Sequence, residues 1–151
     1  MRRQRILPLA DWPAPDRALW ARLVAPAGPL DDPGALSGLR ESSRTTIRNG
    51  YARWLAWLAD AGPAVLAANP AARATPERLL AWMTAMAEHA PMSRLMLLQA
   101  TLRVVIPAAP EADWRGARRL ETVVRREAER DHGARKTGRV LSTDVDRKSV
   151  V

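Results

Sequence analysis

Thr45, Asn49 and Arg53 stand four residues apart in the stretch SSRTTIRNGYARWLAWLADAG, which runs from Ser42 to Gly62. At 3.6 residues per turn they share one side of a helix, flanked by Thr46 and Arg48. A second pair at the same spacing, Gln99 and Arg103, follows further along the chain, with Arg94 nearby. Arg, Asn and Gln form paired hydrogen bonds with base edges in the major groove, and Thr and Arg serve phosphates. The candidate contacts to duplex DNA are Arg44, Thr45, Thr46, Arg48, Asn49, Arg53, Arg94, Gln99 and Arg103. A solubilising helix surface uses the same residue types, so the pattern alone leaves both readings open.

Other chemistry has little to build on. His89 and His132 are far apart, and neither has a partner at metal-ligand spacing. Glu127, Glu129 and Asp131 interleave with Arg125, Arg126 and Arg130, which suits a solvated helix face better than acid–base work. No Gly-rich phosphate loop exists, and with no Cys both disulfides and thiolate metal sites are excluded. The single tyrosine, Tyr51, falls in an apolar stripe and reads as a core residue with its hydroxyl at the rim. Trp54 and Trp57 could stack on bases, but their positions, like that of Trp82, favour the core. Trp12 and Trp20 would fold back on the bundle or dock on a neighbouring molecule. The sequence therefore predicts no catalytic residues, no metal and no cofactor.

The elements that must position the polar rows are helices. In the 42–62 stretch, Ile47, Tyr51, Trp54, Leu55 and Leu58 recur at helical spacing, Ser42 or Ser43 offers a cap, and Gly62-Pro63 offers a stop. Before it, a helix over about 13–24 would bury Leu19, Trp20 and Leu23, and the Pro- and Gly-rich residues 26–41 read as a loop. After it, residues 63–69 suggest one short turn. Thr75-Pro76-Glu77 opens a helix to about Ala90 that buries Leu79, Met83 and Met86. Pro91 separates this from a helix over 93–106 with a buried stripe of Leu95, Leu98, Leu102 and Val105, ended by Pro107 and Pro110. A last helix, about 113–131, would bury Trp114, Ala117, Leu120, Val124 and Ala128. From Arg135 the apolar period is lost, and the end of the chain reads as an unstructured tail. No stretch alternates as a strand does. The fold class expected is an all-α bundle.

Bulk composition is compatible with DNA. The chain has 151 residues, enough for one domain with a core, and a formal net charge of +8. The basic residues are nearly all Arg, and Ala is abundant while Phe is absent, so GC-rich codon usage explains part of that charge. No signal peptide is readable: Met1–Arg5 is basic, but Pro8 and Asp11 break the apolar stretch that follows. The longest apolar stretch, 95–109, is interrupted by Gln99, Thr101 and Arg103 and is not expected to span a membrane. A cytoplasmic, nucleoid-associated protein is the expectation.

The order of the segments resembles the amino-terminal core-binding domain of tyrosine recombinases, the phage-integrase family. The residues that carry the resemblance are SSRTTIRNGYARWLAWLADAG, then TPERLLAWMTAM, then SRLMLLQATLRVVI, then PEADWRGARRL, and last the basic RDHGARKTGRV. It covers roughly residues 40–139. Thr46 stands five before Tyr51, where the commonest pattern has four. The resemblance implies a SAM-like four- to five-helix bundle that clamps one side of a duplex with two helices, here 44–61 and 93–106. It implies an amino-terminal arm with one helix over 1–40, a core-binding domain over 41–131 and a basic linker and tail over 132–151. Segments 13–24 and 114–131 would touch neighbouring recombinase protomers on DNA.

The family's catalytic residues lie in a larger domain whose nucleophilic tyrosine, downstream of a His-x-x-Arg pair, this sequence lacks. The expectation is thus a non-catalytic, truncated DNA-binding domain with duplex DNA as partner and no membrane or small-molecule substrate. Two alternatives remain: a helix-turn-helix regulator, and a helical protein–protein interaction module.

Overall fold

The computed structural model describes the backbone of residues 6–148 and the side chains of residues 6–137. Among the described residues the chain is helical and contains no strand. A short 3-10 turn, Leu9–Asp11, leads into α1 (Ala14–Val24), α2 (Glu41–Ala61), α3 (Pro63–Leu66), α4 (Pro70–Arg73), α5 (Pro76–Ala85), α6 (Pro91–Ala108) and α7 (Arg115–Lys148). None of the described helices is long and apolar enough to cross a membrane.

Several helix ends follow the sequence signals. Gly62 sits at φ +138, a conformation that L side chains rarely adopt, and its N–H closes on the carbonyls of Leu58 and Ala59. Thr75 caps α5 by accepting from the Arg78 N–H at 3.2 Å, with Pro76 in the first turn.

Other ends do not follow them. Neither Ser42 nor Ser43 caps α2, which begins at Glu41 without a side-chain cap; a first-turn carboxylate complements the helix dipole there instead. The short α4 has no counterpart among the sequence signals. It is opened by Asn69, whose side chain accepts from the Ala71 N–H. α5 stops at Ala85, short of Ala90, and Pro91 holds Ala90 extended just before α6 begins. Pro91 opens α6 rather than separating two helices, and Pro107 does not end it. Sited in the last turn, Pro107 removes only the N–H that would have met the Arg103 carbonyl. The expected unstructured tail is instead continuous with α7 to Lys148, while Met1–Arg5 and Ser149–Val151 lie outside the described residues.

α2 and α6 form the centre. They cross where Gly50 meets Ala100, so closely that a Cβ on Gly50 would lie 2.6 Å from the Ala100 Cβ. Around that crossing, Trp54, Leu55, Leu58, Leu98, Leu102, Val104 and Val105 are sealed from solvent. α7 packs along α6 through Ala117, Val124 and Ala128, with Trp114 and Leu120 half-buried beside them. Trp54 and Trp82 meet with ring centroids 5.1 Å apart, and both are buried, as expected.

The amino-terminal segment is part of this core rather than an arm. Trp12, Leu19, Trp20, Leu23 and Leu36 are all buried, and Trp12 packs edge-on against Trp20 and Tyr51. The deepest polar cluster ties it down. Tyr51 Oη donates to Asp16 Oδ1 at 2.6 Å, and Arg73 grips the same carboxylate with Nη1 at 2.8 Å and with Nη2. All three residues are fully enclosed, so the Tyr51 hydroxyl is not at the rim. Burial pushes the Tyr51 pKa well up, and the Asp16 charge adds to the shift. Burial opposes the charge on Arg73, but hydrogen bonding and attraction to Asp16 outweigh it and raise its pKa.

Candidate nucleic-acid interface

The buried stripe of α2 leaves two polar edges, not one polar back. Thr46, Asn49 and Arg53 lie on the edge beside α6, where they line a groove with Gly50, Ser93, Met96 and Leu97. Arg44, Thr45 and Arg48 lie on the edge beside α1, in a separate cleft with Trp20, Val24 and Glu41. At about 100° per residue, Arg48 and Arg53 point more than a quarter-turn apart. Arg44 is partly committed, since its Nη1 donates to the Ser37 carbonyl at 3.2 Å. Thr46 donates back to the Ser42 carbonyl at 3.0 Å, a usual place for a helical threonine hydroxyl.

α6 is buried on most of its circumference and opens to solvent along one row. That row holds Met92, Met96, Gln99 and Arg103, with Gln99 half-buried and the others exposed. Met96 belongs to the groove of Asn49 and Arg53, while Gln99 and Arg103 line the next cleft along, between α6 and α7. The row therefore joins the two depressions into one face. Asn49, Arg53, Gln99 and Arg103 have no hydrogen-bond or ion-pair partner among the described residues, so their donors face outward unengaged.

Arg94 differs. Its side chain is only 15% exposed, and it reaches Glu127 on α7 at 3.4 Å. It holds α6 to α7, and that role takes it out of the open row.

The α6–α7 cleft adds two residues that sequence reasoning missed, Arg118 and Arg125. Both are half-exposed and both contact Glu121 at 3.3 Å. Glu121 was the readable signal. It stands four after Ala117 and three before Val124, inside the stripe that α7 buries, and it is indeed buried. A carboxylate in that stripe requires cations beside it.

Trp57 stays partly exposed and stacks on Trp54, with ring centroids 5.7 Å apart. His89 and His132 are exposed, and among the described residues no three His, Asp or Glu side chains gather as a metal site. Comparison of the chain with protein-family models, curated proteins and solved structures returns no match.

Proposed function

We propose that this chain binds duplex DNA without cutting it, in the manner of a tyrosine-recombinase core-binding domain. Thr46, Asn49 and Arg53 of α2 and Gln99 and Arg103 of α6 form the contact face. What supports the reading is the continuity of that face. The one open row of a central helix runs from the Asn49–Arg53 groove to the Gln99–Arg103 cleft, and the base-reading side chains on it are unengaged. The order of segments and the net charge of +8 agree with it. Asn49 and Gln99 suit adenine edges, Arg53 and Arg103 suit guanine edges or phosphates, and the exposed Met96 suits a thymine methyl. The helix-turn-helix alternative fits less well: five residues separate α5 from α6, and Arg94, near the start of α6, is held by Glu127.

Binding of a labelled duplex, followed by fluorescence anisotropy at several salt concentrations, tests the proposal. With about five phosphates neutralised, log K should fall with log salt at a slope of about −4 to −5. Arg53→Ala and Arg103→Ala should each weaken binding several-fold without unfolding the chain, and Arg48→Ala should matter less. Wild-type affinity in both Arg53→Ala and Arg103→Ala would remove the proposed face. Salt-independent or absent binding would favour a protein–protein module. A covalent protein–DNA product from a supercoiled substrate would overturn the non-catalytic part.

A further inference from the structure

The cleft between α6 and α7 concentrates more positive charge than base reading needs. Arg103 from α6 and Arg118 and Arg125 from α7 line a volume of about 470 Å³, beside the Gln99 amide and above apolar Leu102. Glu121, only 10% exposed at its side chain, sits among them and orients two of the guanidiniums at 3.3 Å. Those contacts are long and use few of the N–H donors that two arginines carry. Arg103 has no partner among the described residues. Three guanidinium charges against one carboxylate leave a surplus of about two positive charges. A phosphate monoester carries about −1.5 to −2 at neutral pH, and forked guanidiniums match its oxygens.

We infer that this cleft is a phosphate-binding site, in which Arg103, Arg118 and Arg125 hold the phosphoryl oxygens and Glu121 positions Arg118 and Arg125. The cleft shares Gln99 and Arg103 with the proposed duplex face, but the inference does not depend on that reading, because a duplex backbone and a free phosphorylated molecule present the same group. The cleft is large enough for more than a phosphate, and the apolar side formed by Leu36, Leu102 and Ile106 would receive the remainder of a phosphorylated ligand.

The test is a titration of the full chain with inorganic pyrophosphate at constant ionic strength, followed by amide NMR shifts, with chloride as control. Saturable shifts confined to the cleft, at Leu36, Gln99, Arg103, Arg118, Glu121 and Arg125, are expected. Arg103→Gln and Arg125→Gln should each weaken binding about tenfold, as losing a hydrogen bond to a charged group does. Glutamine at 125 keeps an amide donor for Glu121, so the fold is retained.

Duplex DNA distinguishes the two sources. If duplex displaces pyrophosphate and Arg125→Gln reduces the salt slope by about one, a backbone phosphate occupies the cleft. If pyrophosphate stays bound beside duplex with an unchanged slope, the site serves a phosphorylated small molecule and Arg103 does not belong to the duplex face. Shifts that never saturate, scatter over Arg22 and Arg119, and ignore both variants would overturn the inference. Loss of duplex binding with pyrophosphate binding intact would sink the DNA reading alone.

Discussion

Replacing Gly50 by alanine tests the crossing that sets the spacing of the proposed face. The added Cβ would lie 2.6 Å from the Ala100 Cβ and 3.9 Å from the Leu97 backbone. Leu97 is at ordinary contact distance, but the Ala100 Cβ is not the tip of a flexible side chain, so relief requires one helix backbone to move. Overpacking a close interface costs about 1–3 kcal/mol. Alanine in a helix interior returns about 0.5–1 kcal/mol relative to glycine. The net expectation is a destabilisation of about 0–2.5 kcal/mol, centred near 1 kcal/mol, and a fall in Tm of up to roughly 10 °C for a chain of this size.

Urea unfolding followed by tryptophan fluorescence measures this directly. The reciprocal change supplies the control. In Gly50→Ala/Ala100→Gly the methyl moves across the interface and the two helix-propensity terms cancel. The double variant should thus return to within about 0.5 kcal/mol of the parent, a coupling that independent sites do not show. A Gly50→Ala chain as stable as its parent, with no recovery from Ala100→Gly, would refute the close crossing. Asn49 flanks Gly50 and Arg53 lies one turn on, so the single variant should also lose duplex affinity and the double should regain it.

The buried cluster gives further expected outcomes. Arg73→Met strands the Asp16 carboxylate and should cost about 3–5 kcal/mol in urea unfolding, much of it regained in Asp16→Leu/Arg73→Met. Tyr51 is the only tyrosine, so phenolate absorbance reports it alone. Its pKa is raised in the folded state, so its contribution to stability is intact below the unfolded value near 10 and is lost as pH climbs through the folded value. Phenolate should therefore appear only with unfolding, above pH 10; its appearance near pH 10 in a still-folded chain would contradict the buried hydrogen bond to Asp16. Arg94→Ala should lower stability by up to about 1 kcal/mol while leaving duplex binding within twofold, the reverse of Arg103→Ala.

The helices were legible because their stripes repeat at 3.6 residues. Ile47, Trp54, Leu58, Leu79, Met83, Leu98 and Val105 are all buried where that period puts them. Boundaries were less legible. Two prolines that read as breaks, Pro91 and Pro107, sit in the first and last turns of α6, where a missing N–H costs little. Periodicity also ranked Tyr51 correctly as core but said nothing of Asp16 and Arg73. Their pairing spans 57 residues and depends on how α1 and α4 dock.

The polar face was half legible. Spacing of four groups Thr45 with Asn49 and Arg53 on a drawn wheel, yet Ala52 and Ala56 next to this row are buried and divide the polar surface into two edges. Which edge adjoins α6 follows from the Gly50–Ala100 contact, and no local pattern announces that contact. The roles of Arg118 and Arg125 depend likewise on the register of α7 against α6.

The Asp16–Tyr51–Arg73 cluster also fixes how the molecule can open. Peeling α1 off by itself is costly, because it breaks the enclosed Asp16–Arg73 pair and uncovers the apolar residues packed with Leu19, Trp20 and Leu23. Its departure must therefore coincide with collapse of the whole assembly, which gives a latch that is either shut or irrelevant. Amides of α1 should then exchange with solvent as slowly as those of α2, and a protease should encounter no half-open form with the first helix loose.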